Sequence, residues 1–273
     1  ETQMKTTKKI ISFLILGLLV IGLLPFTPSG VTAKAENNSN PIIISPTHIE
    51  LVGSTLYVYD EYQSTLFSYN TTTSSTTEVK KLPEGSTLHK LVSNGTELFA
   101  LIKSESDASL NLVSGNELNP LSFEKDYSLS QISDFTLIGS TIYTLKDGNI
   151  DYATLTGNTI SPFVTIEKSN LFSGNNVVTL THLTTYQNEL IGATSTEGYL
   201  IHPSSQNLEK KITLTDNNTI KFLNSNFVVT SNGELINVIT GETSTPFNNI
   251  NVSGFSSSNN THYVSTKTTH QVY

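Results

Sequence analysis

The stretch that decides the fold runs from Asp134 to Ile166 and reads DFTLIGSTIYTLKDGNIDYATLTGNTISPFVTI. It contains short runs in which apolar and polar residues alternate, a pattern that predicts β-strands rather than helices. The dipeptides Asp147-Gly148 and Gly157-Asn158 separate three of these runs. They favour tight hairpins, because such turns need residues that tolerate a positive φ. We therefore predict four antiparallel strands, near residues 134–139, 141–146, 149–156 and 159–166.

The same pattern recurs along the chain. Its second strand is anchored at positions 56, 98, 142, 190, 227 and 262, so that successive units are 42, 44, 48, 37 and 35 residues apart. A period near 40 with four strands per unit is typical of β-propeller blades. The sequence therefore predicts an all-β fold, a six-bladed β-propeller of four-stranded antiparallel blades.

The fourth strand of several units is expected to open with a proline and an apolar residue, which suits the outer edge of a blade. This signature occurs at Asn119-Pro120-Leu121, Ser161-Pro162-Phe163 and Thr245-Pro246-Phe247. It occurs once more at Asn40-Pro41-Ile42, before the first repeat begins. We therefore predict that residues 40–45 supply the fourth strand of the last blade and so close the ring.

The repeat resembles that of six- to eight-bladed propellers of the quinoprotein-like and related bacterial surface type. The motif lies at Gly139 to Tyr143, followed by Asp147-Gly148 and Thr156-Gly157, and again at Ser231 to Gly233, followed by Thr240-Gly241. The resemblance covers nearly the whole mature chain and implies an architecture only. The tryptophan that ends the quinoprotein-type repeat is absent, because the chain contains no Trp. We therefore expect no quinone and no other cofactor.

The N-terminal region has the three parts of a secretory signal. Lys5, Lys8 and Lys9 precede an apolar run at residues 10–24, and Ala33-Lys34-Ala35 fits a cleavage site. The run of 15 residues falls short of the roughly 20 that span a bilayer. The sequence predicts a signal peptide over residues 1–35 and a propeller domain over 36–273, in a secreted, monomeric bacterial protein that is extracellular or associated with the cell surface and does not contact the membrane after cleavage.

Composition excludes several classes of function. All 15 basic residues are lysine, against 23 acidic ones, and the net charge of -8 disfavours nucleic acid as a partner. The chain has no cysteine, which excludes disulfides, thiolate metal ligands and a cysteine nucleophile. It also lacks the common hydrolase and phosphate-binding motifs. We assign no catalytic residue from the sequence.

Propellers bind ligands at the mouth of the central channel and on the connecting loops. Counting eight residues back from each anchor selects one position per innermost strand, and five of the six residues are polar: His48, Lys90, Asp134, His182, Thr219 and Gly254. In the second unit the longer turn makes His89 an alternative to Lys90. These residues are the predicted ligand-binding site, for an anion or a metal, although a wet channel mouth is also polar without any ligand.

Two further patterns have a structural and a functional interpretation. Asp147, Asn149 and Asp151 match the opening of a calcium loop, but its glycine and glutamate are replaced by Tyr152 and Asn158, and a hairpin turn explains the same residues. Tyrosines cluster in the first unit, where they either stack on sugars or pack between blades; they are Tyr57, Tyr59, Tyr62 and Tyr69.

The function predicted from these patterns is that of an exported, non-enzymatic binding or scaffolding module, whose partner is a protein or a glycan at the cell surface. Two alternatives remain open at this point. One is a propeller-type hydrolase or lyase that uses His48, Asp134 and His182 around a metal. The other is the propeller part of a longer enzyme.

Overall fold

The computed structural model of the chain describes residues 11–12, 41–172, 177–215, 217–258 and 261–266. The predicted signal peptide lies outside the described residues except for Ile11–Ser12, and its cleavage stays a prediction. Residues 267–273, where the third strand of the sixth predicted unit would fall, also lie outside the described residues.

The described residues form short strands connected by tight turns. Their bounds are β1 (Ile11–Ser12), β2 (Pro46–Val52), β3 (Thr55–Asp60), β4 (Thr65–Asn70), β5 (Ser75–Lys81), β6 (Thr87–Ser93), β7 (Leu98–Lys103), β8 (Ala108–Ser114), β9 (Glu117–Pro120), β10 (Ser122–Phe123), β11 (Ile132–Ile138), β12 (Thr141–Lys146), β13 (Asn149–Thr156), β14 (Thr159–Ile160), β15 (Val164–Ile166), β16 (His182–Tyr186), β17 (Glu189–Ala193), β18 (Glu197–His202), β19 (Asn207–Thr213), β20 (Ile220–Asn224), β21 (Phe227–Thr230), β22 (Leu235–Asn237), β23 (Thr243–Ser244), β24 (Val252–Ser258) and β25 (Thr261–Thr266). A 3₁₀ turn at Leu129–Gln131 and a single helical turn, α1 (Lys168–Leu171), complete the described elements.

The strands form blades of a β-propeller. Four sheets contain four antiparallel strands each, namely β2–β5, β6–β9, β16–β19 and β20–β23. In the remaining blade the outer position beside β11, β12 and β13 is divided between β14 and β15. The innermost strands β2, β6, β11, β16, β20 and β24 contact one another in that order, and β24 returns to β2. The predicted all-β propeller of four-stranded antiparallel blades is therefore confirmed.

The predicted number of blades is wrong, because the described residues form five four-stranded blades and not six. Between the fifth blade and the first lies a hairpin, β24–β25, whose outer side pairs in parallel with Ile11–Ser12. Residues 41–45 form no strand. The amides of Ile44 and Ser45 donate instead to Asp60 Oδ2 at the end of β3. Because this buried carboxylate takes their hydrogen bonds, the segment lies along the first blade and does not extend the last one.

The hydrophobic core is divided into clusters between neighbouring blades. One cluster joins the second and third blades through residues such as Phe99 and Phe135. Another joins the hairpin to the first blade, where Tyr263 packs with Leu56 and Tyr69. Apolar and polar residues alternate along the strands, but each face of a blade is covered by one of the two neighbouring blades. Apolar burial thus holds the ring together around a central channel.

Turn chemistry is as predicted between the second and third strands. Asp147 and Gly148 have φ of 52° and 80°, as a tight hairpin requires. Gly233 has φ of 77°, and a Cβ there would lie 2.4 Å from the carbonyl oxygen of Phe247. Glycine at position 233 is therefore required both by the turn and by the close approach of the neighbouring backbone.

The prediction that prolines open the outer strands is wrong, because the three prolines lie at the ends of these strands or in a break between them. Pro120 ends β9, Pro162 lies in the break between β14 and β15, and Pro246 follows β23. Proline lacks an N–H group, so it interrupts the pairing of an outer strand. The apolar residue after each proline packs between blades, as Leu121 and Phe247 do.

Candidate functional site

The propeller has two faces, which we name by the direction of the innermost strands. The first face is where these strands begin, and it carries the loops 61–64 and 104–107. The second face is where they end, and it carries the turns 53–54 and 139–140. The predicted channel-mouth residues lie at the first face.

The strand register places five of the six counted residues at equivalent positions of their units. Four of these residues pair with the second strand of their unit directly after a bulge in the innermost strand, and His182 is the first paired residue of a strand without a bulge; the five are His48, Lys90, Asp134, His182 and Gly254. In the second unit Lys90 occupies this position and His89 lies in the bulge. The bulges turn successive side chains toward the neighbouring blade as well as toward the channel.

Thr219 does not belong to this set. It precedes β20, and its backbone bonds with Ser231. The hairpin of the fifth blade is shorter, with only Asn224, Leu223 and Phe222 paired before its bulge. Counting eight residues back therefore overshoots, and Phe222 occupies the equivalent position.

Asp134 connects three blades. Its Oδ2 accepts hydrogen bonds from the amide of Leu183 at 2.8 Å and from Lys90 Nζ at 3.1 Å, while Oδ1 accepts from the amide of Phe135 at 2.8 Å. Lys90 Nζ also lies 2.9 Å from Oδ1, and the Asp134 side chain is only 5% exposed. Both carboxylate oxygens are thus engaged by the second, third and fourth blades. This pattern is that of a buried inter-blade link.

The histidines also contact their neighbours. His89 Nε2 donates to the carbonyl of Ser133 at 3.0 Å, from the second blade to the third. His48 and His182 each bond through Nδ1 to the preceding threonine, at 3.1 and 2.9 Å. Burial lowers the pKa of His48 to about 4, helped by the positive charge of Lys90, so His48 is neutral at neutral pH. Burial also lowers the pKa of His182. The role of these residues in ligand binding stays a prediction.

A cavity of about 240 Å³ lies in the channel toward the second face, and sequence reasoning missed it. Its lining is mainly polar and includes Glu50, Lys90, Thr136, Thr184, Asn224 and Ser257. Of the predicted residues only Lys90 lines this cavity. The signal was present in the sequence, because Glu50, Thr136 and Thr184 each lie two residues after a predicted position and therefore on the same face of a strand.

Glu50 is the buried acid of this cavity. Its Oε2 accepts a hydrogen bond from Asn224 Nδ2 at 2.9 Å, which links the first and fifth blades across the channel. Burial raises the pKa of Glu50 to about 8, although Lys90 and Asn224 favour the charged form. Glu50 is therefore protonated at neutral pH and can both donate and accept a hydrogen bond.

Replacing Glu50 by glutamine is expected to change how stability depends on pH. The folded pKa of Glu50 is raised from 4.5, so its contribution is complete below pH 4.5 and is lost as pH rises through 8. We expect Glu50→Gln and the parent to be equally stable at pH 4 and the variant to be more stable by about 2 kcal/mol at pH 6, with the difference still growing toward pH 8. Urea unfolding at several pH values measures the difference in unfolding free energy between the two proteins. The titration of His48 cancels in this difference, because both proteins contain His48. A constant difference across this range would contradict the assignment.

An open groove of about 760 Å³ lies on the first face, between the second and third blades. We call it the aromatic groove, and its lining residues are Ala108, Ser109, Leu110, Leu121, Phe123, Asp126, Tyr127, Ser128, Leu129 and Lys146. One wall is the connection from the second blade to the third, which β10 fixes by pairing in parallel with β14. The opposite wall is formed by the second and third blades.

Tyr127 is the best fixed residue of the aromatic groove. Its hydroxyl donates to Asp151 Oδ2 at 2.6 Å and lies 2.7 Å from Thr144 Oγ1. Its ring stacks on Phe163, with centroids 3.8 Å apart, and Lys146 Nζ lies 5.2 Å from the ring centroid. Burial and the neighbouring Asp151 raise the pKa of Tyr127 well above its usual range, so the hydroxyl remains a donor. The groove is therefore a rigid surface of aromatic and polar groups.

The calcium-loop pattern does not form a cation site. The carboxylate of Asp151 accepts from Tyr127 and from Thr165 Oγ1, and Asn149 Oδ1 accepts from the amide of Lys168. Asp147 lies in the hairpin turn. Across the described residues, no group of three or more histidine, aspartate or glutamate side chains is placed to hold a metal ion.

The tyrosines of the first blade mainly pack. Tyr59 and Tyr69 are buried, and Tyr57 packs against the core between the first and second blades. Tyr62 is 76% exposed in a loop of the first face. The interpretation as blade-to-blade packing therefore holds for three of the four.

Comparisons with known proteins support the propeller-like fold. No family model matches the chain, and no curated protein matches it. Among solved structures, a protein of unknown function from Bacteroides thetaiotaomicron VPI-5482 is similar at 11% identity with a TM-score of 0.54, over 79% of this chain. This chain covers 64% of that protein, which is less than two thirds of its length.

A second similar structure is the extracellular domain assigned to a hybrid two-component system of B. thetaiotaomicron. It is 13% identical with a TM-score of 0.50, over 88% of this chain and 38% of that one. At these identities the likeness establishes the propeller-like fold alone. Within the described part of the chain, no helix is long and apolar enough to cross a membrane.

Proposed function

We propose that the chain is an exported, non-enzymatic binding module that takes a glycan in the aromatic groove, outside the cell or at its surface. The observation that carries this proposal is the groove itself, with Phe123 and Tyr127 beside Lys146 and Asp126. Its volume falls within the range of about 300–1,000 Å³ that is usual for ligand sites. Rings provide apolar contact, and a few fixed polar groups provide orientation.

A glycan suits the groove better than a folded protein does. A stable protein interface covers roughly 800 Å² on each partner. The groove is instead concave and lies between the wall at Ser109 and the wall at Ser128. A sugar chain can enter such a space, and its hydroxyl groups can bond with serine, aspartate and lysine.

Export is supported by the predicted signal peptide, and one of the similar structures is itself an extracellular domain. The alternative of a metal-dependent hydrolase or lyase requires Asp134 as a ligand. Both oxygens of Asp134 accept N–H groups and face the ammonium of Lys90. We therefore do not propose this alternative.

Replacing Phe123 by alanine is expected to weaken glycan binding about tenfold or more, because an aromatic contact inside a concave site contributes strongly. Lys146→Ala is expected to weaken it less. The measurement is binding of the purified protein to a glycan array, followed by titration of the best glycan. Tyr62→Ala and Lys81→Ala are matched controls, because both residues are exposed and lie on the first blade.

Two results would overturn the glycan assignment. One is binding that Tyr62→Ala abolishes and Phe123→Ala leaves intact. The other is an absence of glycan binding together with capture of a surface protein through the same groove. Thermal unfolding of each variant shows whether a loss of binding arises from a loss of fold.

A further inference from the structure

We propose that the central channel contains a second site, independent of the aromatic groove, which binds a single sugar or another small neutral polyol. The site is the cavity toward the second face described above. It lies among the ends of the innermost strands and the turns that follow them.

The size of the cavity matches a small polar molecule. A volume of about 240 Å³ corresponds to roughly eight waters at the volume each occupies in the liquid. The lining contains hydroxyl, amide and carboxyl groups contributed by separate blades, including Thr136, Thr184 and Asn224. A ligand that carries several hydroxyl groups can bond with several blades at once.

Thr136 gives the most direct indication of a missing partner. It lines the cavity and is 1% exposed, and its Oγ1 has no hydrogen-bond partner among the described residues. An unsatisfied buried hydroxyl is unfavourable, so such groups normally have a protein, water or ligand partner. The Asn224 side chain, in contrast, already bonds with Glu50 and with the amide of Ser257.

The charges around the cavity favour a neutral ligand. Burial raises the pKa of Glu50, so its carboxyl group is uncharged at neutral pH. The ammonium of Lys90 lines the same cavity and repels a cation. An anion would have to compete with Asp134, which already holds that ammonium at 2.9 Å. Hydroxyl groups, in contrast, can accept from Glu50 and donate to Thr136 without any change of charge.

The two sites can be tested separately, because they share no lining residue and lie toward opposite faces. The probes are D-glucose, N-acetyl-D-glucosamine, myo-inositol and calcium chloride, each titrated calorimetrically into the purified protein. We expect at least one of the neutral compounds to bind. Thr136→Val is expected to weaken that binding about tenfold, because it removes the hydroxyl and keeps the shape. Lys146→Ala in the groove should leave it unchanged.

Thr136→Val is expected to fold, because it removes a buried hydroxyl that has no partner. Thermal unfolding verifies this, and Thr184→Val, which also lines the cavity, serves as a second variant if it does not. Binding of calcium alone, binding unaffected by either variant, or no binding of any neutral probe would overturn the proposal. Loss of glycan binding at the groove would not affect it.

Discussion

Replacing Asp134 by alanine is expected to lower the free energy of unfolding by about 3 kcal/mol or more. The substitution leaves the amide of Leu183 without its acceptor and the ammonium of Lys90 without its partner. The side chain of Lys90 is 22% exposed, so water recovers only part of the lost interaction. Because Asp134 links three blades, we expect the whole ring and not one blade to lose stability.

Urea unfolding, followed by tyrosine fluorescence in a chain without tryptophan, measures this effect. Glu117→Ala is the matched control, because Glu117 pairs with Lys80 at 2.6 Å on the surface, with side chains 65% and 39% exposed. An exposed ion pair contributes about 1 kcal/mol or less. Equal effects of the two substitutions would show that Asp134 is not an inter-blade link.

Much of the architecture could be predicted from the sequence, because hairpin turns are local. Asp147 and Gly148 have the positive φ that their sequence implies, and the period near 40 predicted the repeating four-stranded blade. The closure of the ring could not be predicted in this way. The innermost strand β24 contacts β2, while residues 44 and 45 are held by Asp60, a residue outside the repeat pattern, whose carboxylate bonds with backbone amides 15 and 16 positions earlier.

The candidate site was predicted only in part, for a similar reason. Counting from the anchors selected equivalent strand positions at His48, Lys90, Asp134 and His182, of which only Lys90 lines the cavity, and it failed at Thr219, where the hairpin is two residue pairs shorter. Polarity alone did not separate residues that join blades from residues that line a cavity. Glu50 and Asp134 are both buried acids near the channel. Asp134 has lysine and backbone partners, whereas Glu50 accepts from the side-chain amide of Asn224. That distinction depends on contacts between blades, which the sequence does not specify.

Replacing Asp60 by asparagine is expected to lower the free energy of unfolding by about 3 kcal/mol. Asp60 is fully buried, and besides the amides of Ile44 and Ser45 it accepts from the amide of Gln63 at 3.1 Å and from its side chain at 2.9 Å. Hydrogen bonds to a charged group are stronger than neutral ones. An asparagine keeps one acceptor oxygen and turns an N–H₂ group toward other donors.

The coupling between Asp60 and the N-terminal segment distinguishes the observed closure from the predicted one. A variant that begins at Pro46 lacks two of the donors to Asp60 and the packing of Ile43 against the cluster of Leu56 and Tyr263. We expect this truncation and Asp60→Asn each to be destabilising, and the double variant to lose clearly less than the sum, because both remove the same hydrogen bonds. If residues 41–45 instead formed the fourth strand of the last blade, the two effects would add. Thermal and urea unfolding of the four chains decide between these outcomes.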